Sequence, residues 1–335
     1  MKMKRRVNIY KNMMSGISQL LPFIVAGGVF ISLSFLFNSY QSNSEIALWF
    51  NDTGKLIISF SLPVLAAFIA YAIADRPGLV PGFIAGALAL AGGSGFLGAL
   101  VGGFAAGYIA LIIIKIFSRL PRSVHGFNAI LFFPVLGALF AALFMIGVNL
   151  VIEPATTTLI TFINGLNVVG VIITGLVAAS LMAFDLGGPV NKVTYMLGIA
   201  TIINGDQSIL MAAIMAGGMI PPLGVALATL IFKNKFNEKQ RNLGKKNWLM
   251  GLLFITEGAL SYAKESPKIF IPIVMVGSAL AGGLVGLFQT SIAIPHGGIL
   301  VLVFMQNWWG FIIALISGML FTALSLGLFL PSKIE

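Results

Sequence analysis

The sequence predicts an all-α membrane protein, polytopic, with about 8–10 transmembrane helices. Of its 335 residues 58% are hydrophobic and only 9% are charged, whereas soluble domains carry roughly 25% charged residues. A chain of this composition cannot cover a surface exposed to water, so a lipid bilayer must cover much of it. The composition excludes a soluble enzyme, a disordered regulator and a nucleic-acid-binding domain. The net charge of +10 therefore points to cytoplasmic loops rather than to nucleic acid.

Long intervals without a charged residue mark the candidate spans, because charge at membrane depth is costly. They are 12–44, 56–74, 77–114, 123–152, 154–184, 207–232 and 269–332. Since a crossing helix needs about 20 residues, single spans are predicted near 17–37 and 56–74. The glycine-rich third interval predicts two short spans, or a re-entrant segment and a span.

The second half of the chain predicts full spans separated by shorter apolar pieces. Glu153-Pro154 separates the charge-free intervals 123–152 and 154–184, so a break between two spans is predicted there. One span is expected on each side of it, one in 207–232 and two near 269–289 and 308–330. The pieces near 186–203, 248–262 and 292–306 are too short for ordinary crossings.

Basic residues predict the orientation, because cytoplasmic loops carry an excess of Lys and Arg. Both termini are expected in the cytoplasm, the loop 38–55 outside, and the basic loop 233–247 inside. The basic loops either report topology alone or also form a docking surface for a soluble partner. The basic residues that indicate the cytoplasmic side are Lys2, Lys4, Arg5, Arg6, Lys11, Lys115, Arg119, Arg122 and Lys333. The acidic residues that indicate the outer side are Glu45, Asp52 and Glu153.

Cysteine is absent and only two histidines are present. The sequence therefore offers no thiolate metal site, no cysteine nucleophile and no histidine-rich metal centre. It also lacks a glycine-rich loop ending in Lys-Ser/Thr that would bind nucleotide. We expect neither a metal nor a cofactor.

The first of three polar islands is Asp185-Leu186-Gly187-Gly188-Pro189-Val190-Asn191-Lys192. Gly-Gly-Pro interrupts a helix, and non-helical backbone at membrane depth occurs only against protein or a wet cavity. The segment predicts a helix break in which Asp185, Asn191 and Lys192 face polar partners, as at a transporter's substrate site. The alternative is an ordinary turn at the membrane surface.

The second island is Thr256-Glu257-Gly258, enclosed by apolar residues. A carboxylate at that depth is costly unless it is paired or protonated. Glu257 is therefore predicted to accept a hydroxyl hydrogen bond or a proton, and the surrounding piece to form a re-entrant hairpin. A structural ion pair with Lys192 or Lys264 is the alternative.

The third island is Pro295-His296-Gly297-Gly298, between two apolar runs. A single histidine is often structural, but the broken backbone around His296 favours a functional role. His125, which follows Arg122 in a basic segment, is interpreted as a loop residue.

Motifs spread over nearly the whole chain carry a family resemblance. They are Met14-Ser15-Gly16-Ile17-Ser18, Leu21-Pro22-Phe23, Ile73-Ala74-Asp75-Arg76-Pro77-Gly78, the Asp185–Lys192 island, Ile255-Thr256-Glu257-Gly258-Ala259 and Pro295-His296-Gly297-Gly298. In order and spacing they resemble the membrane-embedded IIC component of the bacterial phosphotransferase system, in its fructose-specific branch. This resemblance implies a multi-pass permease of the inner membrane.

The resemblance also implies a reaction and partners. A IIC protein carries sugar across the membrane while a IIB protein, phosphorylated on cysteine, phosphorylates it at the inner face. IIB is fed by IIA, HPr and enzyme I. Because this sequence contains no cysteine, we expect a separate IIB protein. Fructose is the default substrate, and mannosylglycerate-like or other hexose-type sugars stay open.

The resemblance further implies an elevator-like fold of the glucose superfamily and a homodimer. Residues 1–155 would form the scaffold half and residues 156–335 the transport half. Glu257 would meet the sugar hydroxyl that receives phosphate, and Glu257 or His296 would take its proton. The sugar-binding residues implied are Asp185, Asn191, Lys192, Thr256, Glu257 and His296.

Two other functions stay open from the residues themselves. A cation-coupled secondary transporter would use Asp185 or Glu257 as a proton or sodium site and would move unmodified sugar. A purely structural membrane protein would need neither acid. The broken helices and the intramembrane acid disfavour the structural alternative.

Overall fold

The computed structural model describes residues 9–40, 44–118, 131–202 and 207–332. These ranges contain thirteen α-helices, which confirms the predicted all-α class. The helices are α1 Ile9–Tyr40, α2 Glu45–Ser59, α3 Ser61–Ala74, α4 Arg76–Ala91, α5 Gly95–Phe117, α6 Phe133–Asn164, α7 Val168–Phe184, α8 Pro189–Ala200, α9 Ile209–Ile231, α10 Glu238–Leu252, α11 Leu260–Glu265, α12 Pro267–Leu287 and α13 Trp308–Phe329. His125 lies outside the described ranges. So do several residues on which the orientation prediction rests: Lys2, Lys4, Arg5, Arg6, Arg119, Arg122 and Lys333.

The apolar helices identify a multi-pass membrane protein. Within the described ranges, seven helical stretches are long and apolar enough to cross a bilayer, one of which combines α2 with α3. Two shorter apolar helices, α4 and α7, accompany them. The glycine-rich interval 77–114 holds α4 and α5, which fits the predicted pair of segments.

The predicted break at Glu153-Pro154 is wrong, because α6 runs through both residues to Asn164. Proline is tolerated inside membrane helices, where the surroundings satisfy the freed backbone groups. Glu153 also finds a local partner: Thr157 Oγ1 donates to its Oε1 at 2.9 Å, one helical turn away. The second predicted span of this region begins only at α7.

Two predicted loops are largely helical. The outer loop 38–55 contains most of α2, and the basic loop 233–247 contains the first two-thirds of α10. A capping box starts α10: the Asn237 side chain accepts from the Gln240 amide and the Gln240 side chain from the Asn237 amide. Counting charges missed these helices, because charge distribution reports exposure to water and not backbone conformation.

The chain divides into two compact units, Met1–Thr161 and Phe162–Glu335. In the first unit, α3 packs against α1, α4 and α5. A polar contact closes the turn between α4 and α5, where Asn149 Nδ2 donates to Leu88 O at 3.0 Å and Ser94 Oγ donates to Asn149 Oδ1 at 2.6 Å. The predicted functions of the two halves, scaffold and transport, stay predictions.

The second unit is built around α9, which packs against α7, α10, α12 and α13. Its candidate membrane window is 94% buried. Helices α7 and α12 approach closely at Gly175 and Gly282, where a Cβ on Gly175 would lie 2.5 Å from the Gly282 carbonyl oxygen. Three interruptions in this unit contain the predicted polar islands: those between α7 and α8, between α10 and α11, and between α12 and α13.

Candidate functional site

The interruption between α7 and α8 is held by Asp185. Its Oδ2 accepts from the Val190 amide at 2.7 Å and its Oδ1 from the Asn191 amide at 3.0 Å. These are the free N–H groups of the first turn of α8, so Asp185 caps that helix. The backbone reverses through Leu186 and Gly187, which have φ of 48° and 101°.

Asn191 stabilises the same interruption by linking the start of α8 to the end of α7. Its side chain is buried, and its Nδ2 donates to the Met182 carbonyl at 2.7 Å in the last turn of α7. Asp185 and Asn191, both predicted sugar ligands, thus make hydrogen bonds to backbone. Lys192, the next residue, follows in the first turn of α8.

The chain after α10 folds back along that helix. Gly258 lies against Asn247, where a Cβ would approach Asn247 Oδ1 to 2.7 Å. Farther along, Tyr262 Oη donates to the Gln240 carbonyl at 2.7 Å. This is the path of a hairpin, whose depth in a bilayer stays a prediction. Its turn contains the short 3-10 helix Thr256–Ala259, which carries Glu257.

An ion pair joins the first two interruptions. Lys192 Nζ lies 2.7 Å from Glu257 Oε1. The Lys192 side chain is 9% exposed and the Glu257 side chain 40%. The carboxylate is therefore accessible to a ligand, whereas the ammonium is enclosed. Of the two ion-pair partners suggested by the sequence, Lys192 is the one in contact.

Thr256, next to Glu257, bonds to the central helix α9. Its Oγ1 donates to the Gly218 carbonyl of α9 at 2.9 Å, and the side chain is buried. This bond ties the hairpin turn to the central helix. The bond occupies the hydroxyl proton of Thr256, one of the sugar-binding residues that the family resemblance implies.

The third interruption brings His296 to the hairpin. Gly297 and Gly298 have φ of 134° and 58°, and a side chain on Gly298 would collide with the Leu252 carbonyl. The imidazole of His296 packs against Phe254, with ring centroids 5.2 Å apart. Phe254 lies three residues before Glu257, in the same hairpin.

Tyr195, on α8, is a site residue that sequence reasoning missed. Its Oη donates to the Pro295 carbonyl at 2.9 Å and lies 3.1 Å from His296 Nδ1. Its ring meets the edge of Phe254 at a centroid distance of 5.4 Å. Both aromatic residues lie in short apolar pieces, where nothing in the sequence distinguishes them from packing residues.

The structure thus pairs Lys192 with Glu257, and it packs His296 against Phe254 of the hairpin that carries Glu257. Asp185, Asn191 and Thr256 surround them and bond to backbone. Within the described ranges, no group of three or more His, Cys, Asp or Glu side chains is placed to hold a metal ion. The site offers a carboxylate, an imidazole and an ammonium, which suits hydrogen bonding to hydroxyl groups.

The unequal exposure of the ion pair predicts unequal stability effects. Glu257→Gln strands an enclosed ammonium, whereas Lys192→Gln leaves a carboxylate that water can solvate. We expect Glu257→Gln to destabilise the protein more, by about 1–2 kcal/mol. Thermal unfolding of both variants and of the double variant in lipid nanodiscs measures this. Equal losses, or a larger loss for Lys192→Gln, would contradict the assignment of Lys192 as the buried partner.

Comparison with known proteins places these motifs among sugar-transport components. The family model "Phosphotransferase system, EIIC" matches residues 14–277. The fructose-specific EIIABC component of Bacillus subtilis is 38% identical over 331 residues, covering 95% of this chain and 51% of the relative. The chain therefore spans about half the length of this multi-component relative.

Two relatives named as IIC components are covered almost completely. The fructose permease IIC component of Bacillus amyloliquefaciens is 38% identical over 82% of this chain and 88% of its own length. The fructose-like permease IIC component 2 of Escherichia coli is 31% identical over 96% of this chain and 91% of its own.

Proposed function

Since the chain belongs to the EIIC family of the phosphotransferase system, we propose that it is a sugar permease. It moves fructose across the bacterial inner membrane while a phosphorylated IIB protein phosphorylates the sugar. The observation that carries this proposal is the accessible Glu257 carboxylate, paired with Lys192 on a hairpin whose Phe254 packs against His296. The names of the relatives support fructose as the substrate.

The phosphate donor comes from outside these 335 residues. In IIB the phosphate is carried on cysteine, and this sequence contains none. Relatives named EIIABC and EIIB'BC combine B and C components in one chain, which supports IIB as the direct partner. We propose that IIA, HPr and enzyme I supply it in turn.

The site binds a neutral sugar before the reaction. Glu257 and Lys192 cancel each other's charge, and the carboxylate and imidazole provide acceptors for sugar hydroxyls. Lys192 supplies the counter-charge of Glu257, with its Nζ 2.7 Å from Oε1. Asp185, Asn191 and Thr256 hold the site in shape through their bonds to backbone.

Transfer forms a bond between a sugar oxygen and phosphorus and breaks the sulfur–phosphorus bond of IIB. The proton of the attacking hydroxyl passes to Glu257 or His296 as general base. The product carries a charged phosphate and no longer matches a site suited to a neutral sugar. This mismatch weakens product binding and favours release.

Orientation and assembly complete the proposal. The basic residues Lys233, Lys235 and Lys239 support a cytoplasmic start of α10. We propose that both termini also lie in the cytoplasm. The protein acts as a homodimer, with residues 1–155 as scaffold and 156–335 as the moving transport half. The division into two compact units supports a two-part arrangement of this kind.

The deciding experiment measures uptake of labelled fructose into proteoliposomes that contain a fructose-specific IIB protein. We expect fructose phosphate to accumulate inside only when IIB is phosphorylated, with unphosphorylated IIB as the control. Accumulation of free fructose driven by a proton or sodium gradient would establish the cation-coupled alternative instead. Accumulation of another sugar's phosphate would keep the mechanism and change the substrate.

A further inference from the structure

Tyr195 and His296 form a hydrogen-bonded pair whose protons can be counted. The phenol oxygen of Tyr195 lies 2.9 Å from the Pro295 carbonyl and 3.1 Å from His296 Nδ1. Tyr195 is buried, with 3% of its surface exposed. A phenol has one proton to donate and an oxygen that also accepts.

The Pro295 carbonyl decides the direction of both bonds. A carbonyl oxygen only accepts, so the phenol proton goes to Pro295. If it went to His296 instead, the phenol and carbonyl oxygens would face each other at 2.9 Å without a proton between them. The phenol oxygen must then accept from His296, which requires a proton on Nδ1.

We propose that Tyr195 is a positioning residue that fixes His296 as the Nδ1–H tautomer. A neutral imidazole carries one proton, so Nε2 is left with a free lone pair. Resting on the proposed function, this makes Nε2 the acceptor of a sugar hydroxyl proton. Glu257 and His296 Nε2 are then two acceptors presented to the same polyhydroxy ligand.

The backbone and the aromatic neighbours hold this arrangement in place. Pro295 and His296 are adjacent, so the carbonyl that orients the phenol and the imidazole move as one segment. Phe254 packs against both rings, at 5.4 Å from Tyr195 and 5.2 Å from His296. A second partner that fixes the tautomer of a functional histidine is a general feature of such sites.

The variant Tyr195→Phe removes the hydroxyl and keeps the ring. Tyr262→Phe is the matched control, because Tyr262 is also buried and also donates to a backbone carbonyl, that of Gln240, at 2.7 Å. It contacts Phe236 and Phe270 and makes no bond to the imidazole. General loss of a buried hydroxyl therefore affects both variants.

The first readout is the tautomer itself. The chain has only two histidines, so the full-length His125→Gln protein labelled with ¹⁵N-histidine reports on His296 alone. We expect a protonated Nδ1 and an unprotonated Nε2, with Nε2–H appearing in Tyr195→Phe but not in Tyr262→Phe. A wild-type-like tautomer in Tyr195→Phe, or Nε2–H in the parent, would overturn the proposal.

The second readout is the rate of phosphotransfer from phosphorylated IIB. We expect Tyr195→Phe to reduce kcat by roughly 10- to 100-fold, the usual effect of removing a residue that hydrogen-bonds a functional histidine. We expect Tyr262→Phe to change kcat little. In a His296→Gln background, Tyr195→Phe should reduce kcat little further, because the variant has no imidazole whose tautomer Tyr195 could fix. Fully additive losses in the double variant would overturn the proposal.

These outcomes separate this inference from the proposed function. A parent protein that transfers no phosphate to any sugar overturns the proposed function, and with it the use of Nε2. A parent that transfers phosphate while Tyr195→Phe keeps the full rate overturns the positioning role alone.

Discussion

Glu257→Gln is expected to reduce sugar phosphorylation by about 10²- to 10⁴-fold, the usual contribution of a general acid or base. Glutamine has nearly the same shape and can still accept a hydrogen bond, but it cannot take the hydroxyl proton. It also leaves the Lys192 ammonium without its counter-charge. The measurement is the rate of transfer from phosphorylated IIB to fructose in proteoliposomes.

The control for this variant is Glu238→Gln, which removes an exposed carboxylate from the start of α10. It should leave the rate unchanged. Separate measurement of fructose binding locates the effect: loss in kcat alone indicates proton transfer, and loss in binding as well indicates a sugar ligand. Wild-type phosphorylation by Glu257→Gln would remove this residue from the mechanism.

Gly187→Ala is expected to reduce the same rate by about 100-fold, because small displacements of a catalytic group have effects of that size. Gly187 has a φ of 101°, which L side chains rarely adopt. Its added Cβ would lie 2.5 Å from Glu257 Cγ and 2.6 Å from Oε1. The variant therefore displaces the Glu257 carboxylate while leaving it chemically intact.

Gly95→Ala isolates the backbone contribution. Gly95 also has a positive φ, 60°, but a Cβ there meets no atom within 4 Å. Both variants should lower the unfolding temperature, since each holds alanine in a strained conformation at about 1–2 kcal/mol. Only Gly187→Ala should lose phosphorylation, and equal activity in the two would show that the position of Glu257 is unimportant.

The sequence predicted the interruptions of the second unit because each contains residues that helices exclude. Gly187, Gly188 and Pro189 forecast the end of α7, and Gly297 and Gly298 the non-helical segment before α13. The carboxylate of Glu257 was informative for a different reason: an ionised group amid apolar residues requires a partner. Lys192 was named as one of two candidates, and the structure has that contact.

The errors follow from the same rules. Pro154 breaks a helix by local criteria, but α6 continues because one missing hydrogen bond is tolerated in a membrane protein. Tyr195 was missed because its importance depends on a contact with Pro295, a hundred residues later in the chain. Asp185 stays a predicted sugar ligand, and composition alone does not show that its oxygens also cap α8.

The burial of α9 has a consequence for how the protein is made. Its mean hydropathy of 1.9 is that of a helix able to enter a bilayer alone, yet 94% of its membrane window lies inside the protein. Two of the helices that cover it, α12 and α13, are synthesised later than α9. During translation α9 must therefore first be surrounded by lipid. Helices α12 and α13 displace this lipid when they insert. The composition of α9 thus suits two successive environments, hydrocarbon chains at first and closely packed helices at the end.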